Sequence, residues 1–287
     1  MAERRERAAL AVLGVGAKSL RALHAEPVLH AVRDGVDTLL VRARRPVLRG
    51  HAGGVELRGF LRHRSFLADV TNGVHEPYVV EVLLSQLRPG SLFVDVGAHL
   101  GLYTLRAADR IGPDGRIVAF EADPYTATAL AVNVRRAALG NVRVVSKAVS
   151  DRVGATAFWL SAGTYSSSLY RRPSMASIER VEIDATTIDA EIGPAEDVVL
   201  KIDVEGAELD ALGGLTETVA QATRVVLMVE VNPGALGEAG RTPAELIARL
   251  RELGLELWRI DEQAEEVVPL DTNDTGDWKG NILAGRG

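Results

Sequence analysis

Phe93-Val94-Asp95-Val96-Gly97-Ala98-His99-Leu100-Gly101-Leu102-Tyr103-Thr104 runs from an apolar strand through a glycine-bearing turn into a helix. In open α/β sheets ligands bind outside the carboxyl ends of strands, so this turn marks a candidate cofactor site. Gly97 and Gly101 carry no Cβ, which lets the backbone approach a ligand closely. The dinucleotide fingerprint needs Gly-x-Gly-x-x-Gly, whereas here Gly-x-x-x-Gly follows an acidic residue. That spacing argues against a NAD-dependent dehydrogenase and points to S-adenosylmethionine.

Outward from the turn, strands and helices alternate, the signature of a parallel sheet with crossover helices. A helix is predicted over residues 77–87, a first strand over 92–96 and a helix over 100–111, stopped by Gly112-Pro113-Asp114-Gly115. Strands follow at 116–120 and 142–146, with a helix between them. The strand at 197–202 is apolar enough for the middle of a sheet. A strand at 224–229, a helix at 243–253 and strands near 255–260 and 281–284 complete the set. Residues 151–196 read as irregular and are expected to face the substrate. Towards the N-terminus, residues 5–24 have the spacing of an amphipathic helix, and 28–48 continue weakly helical. Alternating runs between 47 and 70, broken by Gly50 and Gly53-Gly54, suggest a hairpin. Residues 1–75 are therefore expected to cap a domain spanning 76–287, and their helices offer a face for a homo-oligomer.

Composition narrows the class. The chain has 287 residues, 47% of them hydrophobic, which suits a globular α/β protein with a large core. No run approaches the ~18 to 20 apolar residues of a membrane span. With no cysteine, disulfides, thiolate nucleophiles and cysteine-held metals are excluded. The basic start and apolar stretch of residues 1–16 imitate a secretion signal, but Glu3 and Glu6 interrupt it and no cleavage site follows. A cytoplasmic location is expected. Residues 1–50 carry ten Lys and Arg against five Asp and Glu, while the rest of the chain holds 23 against 34. An acidic body argues against a duplex nucleic-acid partner, whose phosphates demand a basic track.

Three pieces carry chemistry. The first is the turn itself, with Asp95 organising the loop or holding an ammonium group. The second is Glu121, about twenty residues past the turn at the end of the next strand, where a carboxylate accepts hydrogen bonds from ribose hydroxyls. The third is Lys201-Ile202-Asp203-Val204-Glu205-Gly206-Ala207-Glu208, which crowds three carboxylates at the end of a central strand. Like charges so close favour a functional reading, although Glu208 can simply favour a helix dipole. Asn232-Pro233-Gly234 reads as a turn, because it lacks the aromatic residue of amino-methylating nucleic-acid enzymes. Phe158, Trp159, Tyr165 and Tyr170 flank a serine-rich stretch and can either stack on a substrate or fill the core.

The series Val94–Gly101, Phe120-Glu121-Ala122, Lys147-Ala148-Val149-Ser150-Asp151 and Leu200–Glu208, with Ser166-Ser167-Ser168-Leu169, resembles the FkbM-type S-adenosylmethionine-dependent methyltransferases over about residues 75 to 285. The resemblance implies a Rossmann-like class I methyltransferase fold, with a seven-stranded, mostly parallel sheet and an antiparallel last strand. It implies methyl transfer to a hydroxyl of a small molecule, usually a sugar or a polyketide-derived natural product. Asp95, Gly97, Ala98 and Gly101 would hold the methionine end of the donor and Glu121 its ribose. Ala148 and Asp151 would border adenine, and Asp203 would lie near the sulfonium; His99, Tyr103 and Ala122 complete the expected cofactor-binding set. An in-line displacement draws most of its rate from alignment, assisted by a base near the acceptor. Glu205 and Asp203 are the first candidates for that base and His99 the third. The alternatives are a Mg²⁺-dependent O-methyltransferase, with Asp203, Glu230 and Asn232 as ligands, and a non-catalytic S-adenosylmethionine-binding or assembly protein.

Overall fold

The computed structural model describes residues 35–37, 39–40, 42–161, 167–173 and 177–287. The helix expected over residues 5–24, with the oligomer face assigned to it, and Tyr165 and Ser166 lie outside the described residues, as do residues 28–34, 38 and 41 of the 28–48 segment. A hairpin of β1 (Leu48–Ala52) and β2 (Val55–Gly59) is followed by α1 (Arg64–Thr71) and α2 (Pro77–Gln86). The core then runs β3 (Leu92–Val96), α3 (Leu102–Ile111), β4 (Arg116–Phe120), α4 (Pro124–Arg136) and β5 (Val142–Val145). After a three-stranded insertion of β6 (Ala148–Val149), β7 (Gly154–Ser161) and β8 (Ser177–Thr186) come α5 (Ile188–Ile192), β9 (Asp197–Ile202), α6 (Glu208–Gly213) and α7 (Thr216–Gln221). The chain ends with β10 (Arg224–Val231), α8 (Pro233–Glu238), α9 (Pro243–Glu252), β11 (Glu256–Asp261), β12 (Glu266–Pro269) and β13 (Gly280–Arg286).

The central sheet has the order β12-β11-β13-β10-β9-β3-β4-β5. β13 pairs antiparallel with both β10 and β11, while β10-β9-β3-β4-β5 are parallel. Seven strands form the expected α/β Rossmann-like methyltransferase sheet with its antiparallel last strand. The eighth, β12, adds an antiparallel edge that the sequence reading missed, because Glu-Val-Val-Pro is short and alternates weakly. Its Pro269 sits where an edge tolerates a missing donor.

Both faces of the sheet are covered, which is why its strands read as nearly continuous apolar runs. Phe93, Ala119, Val199 and Met228 pack with α2, α3, α4, the hairpin and α1 on one side; Val94, Phe120, Leu200 and Leu227 pack with α5 to α9 on the other. The β1–β2 hairpin and α1 share that first core through Leu57, Phe60 and Phe66, so the 47–70 segment is a hairpin plus a helix and not a hairpin alone. Residues 151–196 are likewise more regular than their composition suggests: β7 and β8 form a hairpin with a bulge at Leu160/Ser161, and β6 joins β8 in parallel.

Helix ends are capped by short-range chemistry. Asp123 Oδ1 accepts from the Tyr125 and Thr126 amides ahead of α4, with Pro124 at its first position. A Thr242–Glu245 capping box starts α9. Among the described residues no helix is long and apolar enough to cross a membrane.

Candidate functional site

Pairing in register places the site. Val96 lies opposite Phe120 on β4 and Ile202 on β9, so residues 97, 121 and 203 leave the sheet side by side. The chain proceeds from β3 to β4 and β5 on one side and later from β9 to β10 on the other, so β3 and β9 form a topological switch point, where open α/β sheets bind ligands. A cleft opens there with an empty volume, including its mouth, of about 910 Å³, lined among others by Gly97, Ala98, His99, Tyr103, Glu121, Ala122, Ala148, Asp203 and Glu205. Nine predicted residues thus meet in one cleft.

Several predicted residues act from outside it. Asp95 is fully buried and accepts from Thr104 Oγ1 at 2.6 Å. Burial pushes its carboxyl upward, against the opposing pull of the Lys201 ammonium. Gly101 starts α3 at φ 91°, and a Cβ there would meet Leu130 Cδ1 at 2.7 Å, so this glycine serves helix packing and does not line the cleft. Asp151 is exposed, bonds to Ser150 Oγ and Arg152, and lies away from the cleft, whose corresponding wall is Lys147, Ala148 and Val149.

The turn also works differently from a cradle of free amides. The Gly97 and Ala98 amides donate to the Phe120 carbonyl at 3.1 and 2.9 Å. The His99 amide donates to Glu121 Oε2 at 2.8 Å, and the Asp123 amide to Oε1 at 2.9 Å. Glu121 thereby stitches the two strand-end loops together. Burial, with the Asp123 charge beside it, raises its carboxyl to about 8, although both amides favour the ionised form. Each carboxylate oxygen retains a second lone pair for a hydroxyl. Glu121→Ala, which removes the stitch and the acceptor, is expected to weaken S-adenosylhomocysteine binding by about 10- to 100-fold, equivalent to about two hydrogen bonds; calorimetric titration measures it, and unchanged affinity would remove Glu121 from the donor site.

His99 lines the cleft from a left-handed backbone, φ 51°. Its ring packs edge-on against Phe66 at 4.1 Å and His63 at 5.4 Å. Burial, then His75, lowers its imidazole to about 3, so it is neutral and a poor proton acceptor. The Tyr103 hydroxyl is buried without a hydrogen-bond partner among the described residues.

At the end of β9, Lys201 Nζ donates to Asp203 Oδ2 at 3.0 Å and lies 5.1 Å from the Tyr103 ring centroid. Burial would raise the Asp203 carboxyl, yet Lys201 holds it below its ordinary value. Glu205 pairs with the Arg172 guanidinium; burial and the Asp203 charge still lift its carboxyl to about 7. Glu208 is fully buried and accepts from the Gly206 and Val204 amides, tying the turn from inside, which is a larger role than favouring a helix dipole.

Oxygens of Asp203, Glu205 and Glu230 lie within 4.8 Å of one another. Asn232, the third ligand of the metal alternative, instead caps α8 by accepting from the Ala235 amide at 3.2 Å, and Glu205 stands in its place beside Asp203 and Glu230. Each carboxylate in this group already has a cation: Lys201 on Asp203, Arg172 on Glu205, and Lys279 at 3.5 Å from Glu230. A divalent ion would have to displace or accommodate all three. Sequence reading gave no role to Lys201, Arg172, Lys279, Asp123 or His75. A lone lysine inside an apolar strand and an aspartate two residues after Glu121 were the available signals; Arg172, Lys279 and His75 reach the site from distant segments.

The chain is similar, at low identity, to several solved structures. A SAM-dependent methyltransferase from Aquifex aeolicus is 13% identical over 79% of this chain and 98% of that one, with a TM-score of 0.44. M. jannaschii TYW2, in complex with AdoMet, is 12% identical over 83% of this chain and 84% of that one, with a TM-score of 0.44. Precorrin-6y C5,15-methyltransferase from Geobacter metallireducens is 13% identical over 72% of this chain and 88% of that one, with a TM-score of 0.40. A search of curated protein sequences returns no significant match. The family model described as the methyltransferase FkbM domain matches residues 95–257, more than half of the 287 residues, and the chain belongs to that family.

Proposed function

We propose that this methyltransferase transfers the methyl group of S-adenosylmethionine to a hydroxyl of a small molecule, a sugar or a polyketide-derived natural product. One observation carries the reading. Glu205, a carboxyl group tuned to about 7 by burial and Asp203, lines the same cleft as the glycine turn and Glu121. A base acts best when its pKa lies near the working pH, and a hydroxyl nucleophile needs one.

The buried Tyr103 hydroxyl, otherwise without a partner among the described residues, and the Lys201 ammonium suit the donor's carboxylate. Asp203 suits its ammonium, Glu121 its ribose diol, and Ala122, Ala148 and Val149 its adenine. The bound donor supplies an electrophilic methyl on a sulfonium. Glu205 receives the hydroxyl proton as the oxygen–carbon bond forms and the carbon–sulfur bond releases its electron pair to sulfur. Because Asp203, Glu205 and Glu230 each have their own cation, the reading does not call on Mg²⁺. The acidic body of the chain supports a small acceptor over a nucleic acid. The site asks nothing of a secretory setting, in keeping with a cytoplasmic enzyme.

Two measurements test this. S-adenosylhomocysteine, and not NAD, is expected to raise the melting temperature, because a ligand that binds only the native state stabilises it. Incubation of methyl-labelled donor with a panel of glycosides and hydroxylated polyketides is expected to leave label in an ether. Label on nitrogen or carbon, or a protein indifferent to S-adenosylhomocysteine, overturns the reading.

A further inference from the structure

Glu205 is held in an unusual way. Its backbone is left-handed, φ 55°, a conformation costly for a side-chain-bearing residue unless its surroundings enforce it. Two side chains from one short segment, residues 167–173, grip it at both ends. Ser168 Oγ donates to the Glu205 carbonyl at 2.8 Å, and Arg172 Nη1 donates to the Glu205 carboxylate while its Nε donates to Glu238 Oε2 at 3.0 Å. Arg172 is 7% exposed. Burying and ordering a guanidinium costs desolvation and rotamer freedom, which its two carboxylate partners offset.

The segment is itself anchored. Ser168 exchanges both backbone hydrogen bonds with Trp159 on β7, and the Tyr170 hydroxyl donates to Asp210 Oδ2 on α6 at 2.6 Å. Ser167 and Leu169 face the cleft. Ser168 and Arg172 thus connect the small β6-β8-β7 sheet to the strand end of the large one at a single residue.

We propose that Ser168 and Arg172 are positioning residues for Glu205, clamping its strained backbone and its carboxylate at the edge of the cleft. The inference rests on the reading of Glu205 as proton acceptor and assigns a task to the serine-rich stretch. The groups that face Glu205 make the clamp necessary. Asp203 crowds it with negative charge, burial holds the neighbouring Glu230 carboxyl toward its neutral form, Lys201 and Lys279 are committed to those two, and Glu238 shares Arg172. Without the guanidinium, Glu205 would lose the contact that orients its carboxylate and the charge that favours its ionised form.

Carbon-13 NMR of the full chain labelled at glutamate carboxyls tests this without donor or acceptor, the Glu205 signal being assigned by its loss in Glu205→Gln. Arg172→Met is expected to move the Glu205 titration midpoint upward by about 1 to 3 pH units, as loss of an adjacent opposite charge does. Glu238→Gln is expected to move it downward, since Arg172 is then committed to Glu205 alone. A midpoint that stays in place in Arg172→Met, or that rises in Glu238→Gln, overturns the clamp. If Arg172→Met does not fold, the direction in Glu238→Gln decides. Expected shifts together with no methyl transfer by the wild-type protein would overturn the proposed function and leave the clamp standing.

Discussion

Glu205→Gln is expected to lower methyl transfer by about 10²- to 10⁴-fold, the range over which a positioned base contributes, with S-adenosylhomocysteine affinity almost unchanged. Gln matches Glu in size but cannot take up a proton. Its amide oxygen still accepts from Arg172, and Arg172 retains Glu238, so the segment over the cleft stays docked. The groups assigned to the donor, Glu121, Tyr103, Lys201 and Asp203, are untouched. A loss confined to turnover at saturating donor, with binding intact by calorimetry, is the pattern of an interaction made only in the transition state. Unchanged turnover would remove Glu205 from proton transfer and leave Asp203, already held below its ordinary value by Lys201 and therefore a weaker base, as the remaining carboxylate at that strand end.

Gly97→Ala is expected to destabilise the fold by about 4 kcal/mol or more, the range reached when packing and backbone strain fail together. Gly97 adopts φ 81°, where a side chain costs energy by itself. A Cβ would also fall 1.9 Å from the Asp203 carbonyl oxygen, which is backbone and cannot rotate aside. Relief requires the loops after β3 and β9 to part, and those loops carry Glu121's amide partner His99 on one side and Asp203 on the other. Urea denaturation gives the loss directly; a midpoint close to that of the wild type would show that the loops yield easily. The neighbouring strand-end loop thus demands a glycine here in its own right.

Much of the architecture was legible because strand periodicity and helix caps are local. The strands at 92–96, 116–120 and 197–202 were found with their observed bounds, since each is a β-branched apolar run ended by a polar turn. β12 escaped because its four residues hold only two apolar side chains. The β7–β8 hairpin escaped because residues 162–176, and no tight turn, separate its strands, although Ser177–Thr186 alternates charged with apolar residues as a half-buried strand does. In the site, Glu121, Asp203 and Glu205 were legible from their places after strands. Asp151 and Asn232 were misplaced for one shared reason: position after a strand says which end of the sheet a residue occupies, but not what its side chain bonds to.

By itself the chain determined the parallel sheet, the turn after β3 and the carboxylates that follow β4 and β9, because each depends on residue type and spacing along a few consecutive positions. Only the tertiary structure decided which of those carboxylates would be ionised, shared or locked. Lys201, Arg172 and Lys279 settle that question at Asp203, Glu205 and Glu230; Lys201 is a neighbour in the chain, whereas the other two pairings depend on where the chain folds them. Arg172 comes from 33 residues away, so no local pattern pairs it with Glu205. Charge pairing acts through space over a few ångströms and in proportion to burial, and neither quantity is written in sequence separation.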